Sequence, residues 1–295
     1  MSCPAAADAE ELPGQLAHQR GQLAHRRGQL ADMRGRLAGC GGGALTSDVA
    51  HCHSVRQSDS ETEVAVAPFD VATFDNYGTL TDWEGGAAQF LYELALRNGD
   101  ATLVPGIELR DEWETIQFDI LGREYRSYKR VLAESLRAVC ANHGWPYDER
   151  LAEEFVRSMR SWQPFPDTYP ALLRAKRAGM KLVILSNTDR DIIEHSLRHM
   201  RVQFDDVITA EDCRVYKPSP EFFQQALERI GVAPEKIIHV AFGFKYDNAP
   251  AKRFGMTTAW VNRHVEPRPD GDPVDHEWRD LWGLAELADG QAVPR

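Results

Sequence analysis

No apolar run in this chain approaches the roughly 20 residues that a membrane-spanning helix needs, so no transmembrane segment is expected. Nor does the N-terminus show a basic stretch followed by an apolar core, so no secretory leader is expected. Cysteine is scarce: five residues, an odd number scattered along the chain, do not form a disulfide framework. A reducing cytoplasm is therefore the default setting. Cys40, His51, Cys52 and His53 lie near one another, but their spacing matches no zinc pattern and the glycine-rich surroundings offer no scaffold. Positive charge is also in deficit, with 34 Lys and Arg against 45 Asp and Glu, a net charge of -11 and a pI near 5.4. A nucleic-acid binder would need a basic stripe, and none is present. The composition suits a soluble enzyme whose partner is a small-molecule substrate, with neither nucleic acid nor membrane; a homodimer stays open.

At 295 residues the chain can bury one large core or two modest ones. Residues 1–63 stand apart. Gly14-Gln15-Leu16-Ala17-His18-Gln19-Arg20 recurs from Gly21 and again from Gly28, then decays into Gly41-Gly42-Gly43 and a polar stretch to Glu63. Each repeat carries one leucine and one glycine. That is too little apolar material for a coiled coil, and each glycine costs about 1 kcal/mol in a helix relative to alanine. The tail is expected to be disordered or a frayed helix, or the product of a start codon set too far upstream, with no part in the chemistry.

Residues 85–164 turn helical. Phe90, Leu91, Leu94 and Ala95 share one face, and Trp113, Ile116, Gln117 and Ile120 share another; 131–140 and 151–159 give two more helices. A helical block inserted after the first strand predicts a separate cap. From Pro166 onward helices and strands alternate, which predicts βαβ units and a parallel sheet. The expected fold class is thus α/β, a Rossmann-like parallel core made of residues 64–84 and 165–295 with a helical cap at 85–164. Right-handed crossovers would bring the first, second and fourth strands side by side with their carboxyl ends level.

Four stretches carry the chemistry. Val71-Ala72-Thr73-Phe74 runs into Asp75-Asn76-Tyr77-Gly78-Thr79, which puts a carboxylate at the carboxyl edge of a sheet, where open α/β folds bind ligands. Alone, this is equally a strand ending in a turn-forming Asp. A second apolar strand, 181–185, ends in Ser186-Asn187; Tyr216-Lys217-Pro218 places a lysine just before a helix start; and a third strand, 237–241, is followed by Asp247. The topology gathers Asp75, Ser186, Asn187, Lys217 and Asp247 into one crevice. An ionised Asp there can attack carbon or phosphorus and form an ester or acyl phosphate that water later cleaves. A lysine pairing with it would keep it ionised.

In that order and spacing the four stretches resemble the haloacid dehalogenase superfamily, over roughly residues 66–287. Tyr77, two residues after the Asp, looks more like the L-2-haloacid dehalogenase branch than the phosphatases. The resemblance implies a Rossmann-like core with an inserted cap, Asp75 as covalent nucleophile, the Ser186-Asn187 strand end and Lys217 as charge stabilisers, Asp247 as the terminal acid, and Thr79 in the catalytic group, where its hydroxyl can bond the carboxylate or the turn. It also implies Asn76, Tyr77, Ser186 and the cap residue Arg110 as substrate-binding positions, with no metal and no cofactor. Phosphatase members carry a second Asp where Tyr77 stands and a metal-binding acid where Phe242 stands. The dehalogenase branch usually has Ser and Asn at the positions of Phe242 and Phe244, and a tyrosine where Phe222-Phe223 lies. The implied activity is metal-independent hydrolysis of an (S)-2-haloacid. The alternatives are the same chemistry on another leaving group, such as a strained ring like azetidine-2-carboxylate, a phosphatase, or a non-enzymatic binding module.

Because 1–63 lacks a face to bury, a chain starting after Glu63 should remain soluble with unchanged turnover, as size-exclusion chromatography and activity assays would report; insolubility or inactivity would assign the tail a structural role.

Overall fold

The computed structural model describes residues 68–100, 106–269 and 274–290. The repeat tail and the cysteine–histidine cluster lie outside these residues.

Strand β1, Val71–Phe74, is buried at every position, as a strand covered by helices on both faces must be. The same pressure shapes β2, Lys181–Ser186, and β4, Ile237–Ala241. With β3 (Asp206–Thr209), β5 (Thr257–Val261) and β6 (His276–Trp278) they form one parallel sheet in the order β3-β2-β1-β4-β5-β6. The chain runs outward from β1 on one side and then from β4 on the other. The crevice at that reversal lies at the carboxyl ends of β1, β2 and β4. Strand β6 is too short and polar for its sequence to announce; it joins the edge through pairs such as Ala259 with His276.

Between β1 and the sheet's next helix stand α1 (Trp83–Arg97), α2 (Ile107–Leu121), α3 (Tyr128–His143) and α4 (Glu149–Ser158), then a single 3₁₀ turn, Met159–Ser161. These are the helices that the sequence assigns to 85–164, although α1 begins earlier, at Trp83. Asp82 caps α1 by accepting from the Gly85 amide at 2.9 Å, and Asp148 caps α4 through Leu151 at 2.8 Å. Gly106, at φ 63°, opens α2 against α1, where a Cβ would stand 1.9 Å from the Ala88 carbonyl oxygen. The insert's two ends are zipped together: Asp82 N–H donates to Gln163 O at 2.9 Å and Phe165 N–H to Leu80 O at 2.9 Å.

The remaining helices are α5 (Thr168–Arg177), α6 (Arg190–Met200), α7 (Ala210–Cys213), α8 (Pro220–Ile230), α9 (Ala249–Arg253) and α10 (Trp282–Ala288). One apolar cluster lies between the sheet and α5 and α10. A second runs from Val71, Val183 and Leu185 through Phe222 and Phe223 to Trp113, Leu132, Val139 and Phe155 of the insert. The inner face of the insert is thus continuous with one side of the core. Among the described residues no helix is long and apolar enough to cross a membrane.

A polar seam docks the insert as well. The buried carboxylate of Asp189 accepts from the backbone N–H groups of Tyr128 at 2.8 Å and Lys129 at 2.9 Å, at the start of α3, and Tyr216 donates its hydroxyl to Arg126 O at 2.7 Å. Removing the acceptor in Asp189→Ala should cost about 1–2 kcal/mol, the value of a helix cap, or roughly 2–8 °C in melting temperature for a chain of this size. Thermal unfolding of wild type and variant gives the answer, and an unchanged midpoint would show that the seam contributes nothing.

Candidate active site

Asp75 leaves β1 still tied to the sheet, its N–H donating to Val240 O at 3.3 Å. The turn behind it closes on one carbonyl: Asn76 O accepts from Leu80 N–H at 2.8 Å and Thr81 N–H at 2.9 Å. Gly78 sits in that turn at φ 95°, where a Cβ would come within 2.9 Å of both Phe242 and the Trp83 indole. Both the conformation and the space demand glycine.

Thr79 turns its hydroxyl back on Asp75, donating to Oδ2 at 3.0 Å, while its oxygen accepts from Phe242 N–H at 2.8 Å. That hydroxyl joins the β1 loop to the end of β4. Lys217 is fully buried and spends all three ammonium protons, on Asp75 Oδ1 at 3.1 Å, Leu185 O at 2.7 Å and Asp247 Oδ1. Asn187 makes a two-point clasp with the lysine's backbone, accepting from Lys217 N–H at 2.7 Å and donating to Lys217 O at 2.9 Å. It positions the lysine. Asp247 lies in a one-turn π-helix, Phe244–Asn248, which wraps its backbone around the strand end. Asp75, Thr79, Asn187, Lys217 and Asp247 therefore form one connected cluster.

The substrate-binding candidates fare differently. Ser186 Oγ and Asn76 Nδ2 are buried without a hydrogen-bonding partner among the described residues, which leaves each with capacity to donate. Tyr77 sends its hydroxyl to Ser196 of α6 at 3.0 Å and packs edge-on against Trp162, at 6.1 Å between ring centroids. Burial, reinforced by the charge of Asp75, pushes its phenol well above the ordinary range, so it stays neutral. Arg110 is buried over the Trp83 ring and shared among Asp111 at 2.8 Å, Glu84 at 3.0 Å and Glu114 at 3.4 Å. Its charge is thereby offset within the insert.

Three features escaped the sequence reading. His239, in the middle of β4, stands with Nε2 3.5 Å from Asp247 Oδ1 and Nδ1 2.9 Å from Thr73 Oγ1; a lone histidine in an otherwise aliphatic strand is the one available signal. Arg263 donates to Thr79 O at 2.9 Å and pairs with Asp167 at 3.0 Å, propping the nucleophile turn from behind. Phe118 of α2 stacks on Tyr246 of the π-turn at 4.7 Å, laying the insert against the segment that carries Asp247.

Electrostatics divide the two carboxylates. Burial raises the Asp75 carboxyl above its ordinary value and neighbouring Asp247 adds to this, against the pull of Lys217 and Thr79. Burial also acts on Asp247, but Lys217 and His239 outweigh it and hold that carboxyl low. Lys217, despite burial, is held above the usual ammonium range by Asp247 and Asp75. The cluster is equipped for two-step substitution: a carboxylate that attacks, an ammonium that balances charge, and a second carboxylate that stays ionised.

A family model described as haloacid dehalogenase-like hydrolase matches residues 69–241. The (S)-2-haloacid dehalogenase of Pseudomonas fluorescens is 30% identical over 194 residues, covering 65% of this chain and 84% of that protein. The crystal structure of the L-2-haloacid dehalogenase RSc1362 superposes with a TM-score of 0.66 at 25% identity, covering 75% of this chain and 98% of that one. An L-2-haloacid dehalogenase from Xanthobacter autotrophicus gives 0.64 at 24% identity, covering 76% and 100%, and shares the fold.

Since Asp247 contributes to raising Asp75, Asp247→Asn should lower the pH at which the Asp75 carboxyl titrates, read by ¹³C NMR of labelled aspartate. Removing the ammonium with Lys217→Met should move it the other way. A titration that ignores both changes would mean the three groups are not coupled.

Proposed function

The chain belongs to the haloacid dehalogenase-like hydrolases, and from that premise we propose that it hydrolyses small 2-halogenated carboxylic acids of (S) configuration through an ester on Asp75. The observation that carries this reading is the buried Asp75–Lys217–Asp247 array, with Thr79 on the second oxygen of the nucleophile.

In the first step a carboxylate oxygen of Asp75 attacks C2 from the side opposite the halogen. The C–O bond forms as the carbon–halogen bond breaks, and the halide leaves with the bonding pair, unprotonated. Attack from behind inverts C2. With Asp75 esterified and neutral, Lys217 keeps its direct contact with Asp247 and holds that second carboxylate ionised. In the next step water adds to the Asp75 carbonyl carbon while Asp247 takes one of its protons. Collapse breaks the bond from that carbon to the substrate oxygen, Asp247 returns the proton to that oxygen to give the 2-hydroxy acid, and the second water proton passes to solvent as Asp75 ionises again. Ser186 Oγ and Asn76 Nδ2, the unpartnered donors, suit the oxygens of the substrate's carboxylate.

A divalent metal does not fit this cluster. The side chain at the phosphatases' metal-binding position is the ring of Phe242, which has no ligand atom, and its backbone carbonyl already accepts from the Trp260 indole at 2.9 Å. The buried free thiols of Cys140 and Cys213 support a reducing, cytoplasmic setting. One observation favours a second reading within the same mechanism. Arg110, shared among three carboxylates, offers little free positive charge to a departing anion, which suits a leaving group other than halide.

The test is halide release from (S)- and (R)-2-chloropropionate with and without EDTA, beside p-nitrophenyl phosphate with Mg²⁺. EDTA-resistant release from the (S) acid is expected; metal-dependent phosphate release instead would overturn the reading. In the same assay Asp247→Asn should give a halide burst near one equivalent per site and then turnover slowed about 10²–10⁴-fold, the usual worth of a general base.

A further inference from the structure

His239 has no role in the chemistry set out above, although it is wholly buried beside the carboxylate that handles water. Its Nδ1 lies 2.9 Å from Thr73 Oγ1. Thr73 is its register partner on β1, so the hydroxyl is fixed by the sheet itself. The other acceptor within reach of that hydroxyl is the Ile238 carbonyl oxygen, at 3.5 Å. The hydroxyl can donate to either acceptor; with its proton on Nδ1, the ring carries its own proton on Nε2.

Nε2 has no hydrogen-bonding partner among the described residues apart from its 3.5 Å approach to Asp247 Oδ1. The other tautomer would set a bare nitrogen lone pair against a carboxylate inside a dry core, an arrangement that low polarity penalises. The Phe223 ring closes the far side at 6.2 Å. Asp247 Oδ1 thus receives Lys217 from one direction and His239 from another. Its Oδ2 lies against Gly243, 2.5 Å from where a Cβ would stand, so only glycine gives that oxygen its place.

We propose that His239, oriented by Thr73, is a positioning residue that holds Asp247 Oδ1 inward beside Lys217 and leaves Oδ2 as the oxygen that takes the proton from hydrolytic water. This rests on the two-step reading above. The charged groups facing Asp247 are Lys217 directly and Asp75 beyond it, so His239 adds the one contact that the two half-reactions do not share. Losing it should slow ester hydrolysis and spare ester formation. His239 helps to hold the Asp247 carboxyl low, so its loss should also shift the acid limb of hydrolysis to higher pH.

The experiment begins with wild-type protein labelled with ¹⁵N-histidine. Long-range ¹H–¹⁵N correlation should find a proton on Nε2 of His239, and a bare Nε2 would overturn the proposal. In the kinetic arm, on (S)-2-chloropropionate, His239→Leu should keep the halide burst and slow the following turnover about tenfold or more, the scale of one hydrogen bond to a charged group. His239→Gln, which restores an N–H near Nε2, should recover part of that loss. Thr73→Val, nearly isosteric, should show a smaller defect confined to the same half-reaction. A His239→Leu enzyme with wild-type turnover and acid limb, or a defect that falls equally on the burst, would also overturn it. If the wild type releases no halide at all, the haloacid reading fails, and the tautomer together with the ¹³C titration of Asp247 in Thr73→Val still decides the role of His239.

Discussion

The Lys217 ammonium, buried between two carboxylates, is the interaction on which the rest of the structure depends. Moving these charges out of water is costly, and breaking such a pair by removing one partner costs roughly 3–5 kcal/mol. The arrangement is tolerable only if every proton of the ammonium finds an oxygen. Those oxygens come from separate parts of the chain: Asp75 after β1, Leu185 in β2 and Asp247 beyond β4. Three parallel strands must therefore end level, and the loop after α7 must enter at a fixed depth. The Asn187 clasp on the Lys217 backbone and the Arg263 prop under Thr79 serve that requirement.

Much of this was legible in the sequence, for physical reasons. A parallel sheet covered on both faces demands largely apolar strands, so 181–185 and 237–241 stood out and coincide with β2 and β4. The polar residues that follow those runs fall at the carboxyl edge. The α/β fold expectation holds in the described residues, and the resemblance drawn from Asp75, Lys217 and Asp247 agrees with the family match.

What escaped depends on contacts that one-dimensional patterns do not encode. β6 exists because Asn262 N–H meets Trp278 O at 2.7 Å and the edge of β5 has room for a partner. The resemblance implied Tyr77 as a substrate-binding position, and only the fold shows its hydroxyl bonded to Ser196 of α6. It implied the same of Arg110, and nothing in the sequence says that Glu84, a helix away, will reach that side chain. His239 was read as one more strand residue, since only the register with Thr73 gives its ring a direction.

The seam at Asp189 and Tyr216 has one more implication. Asp189 follows Asn187 by two positions, and Tyr216 immediately precedes Lys217. The segments that shape the charge array are thus the ones that grip the first turn of α3. No lifting of the insert at that turn can leave those segments untouched, because the hydrogen bonds it must break end on Asp189, two positions from Asn187, and on Tyr216, next to Lys217. Mechanically the insert and the charge array thus share one anchorage, and a displacement at 126–129 is felt at 187–189 and 216–217.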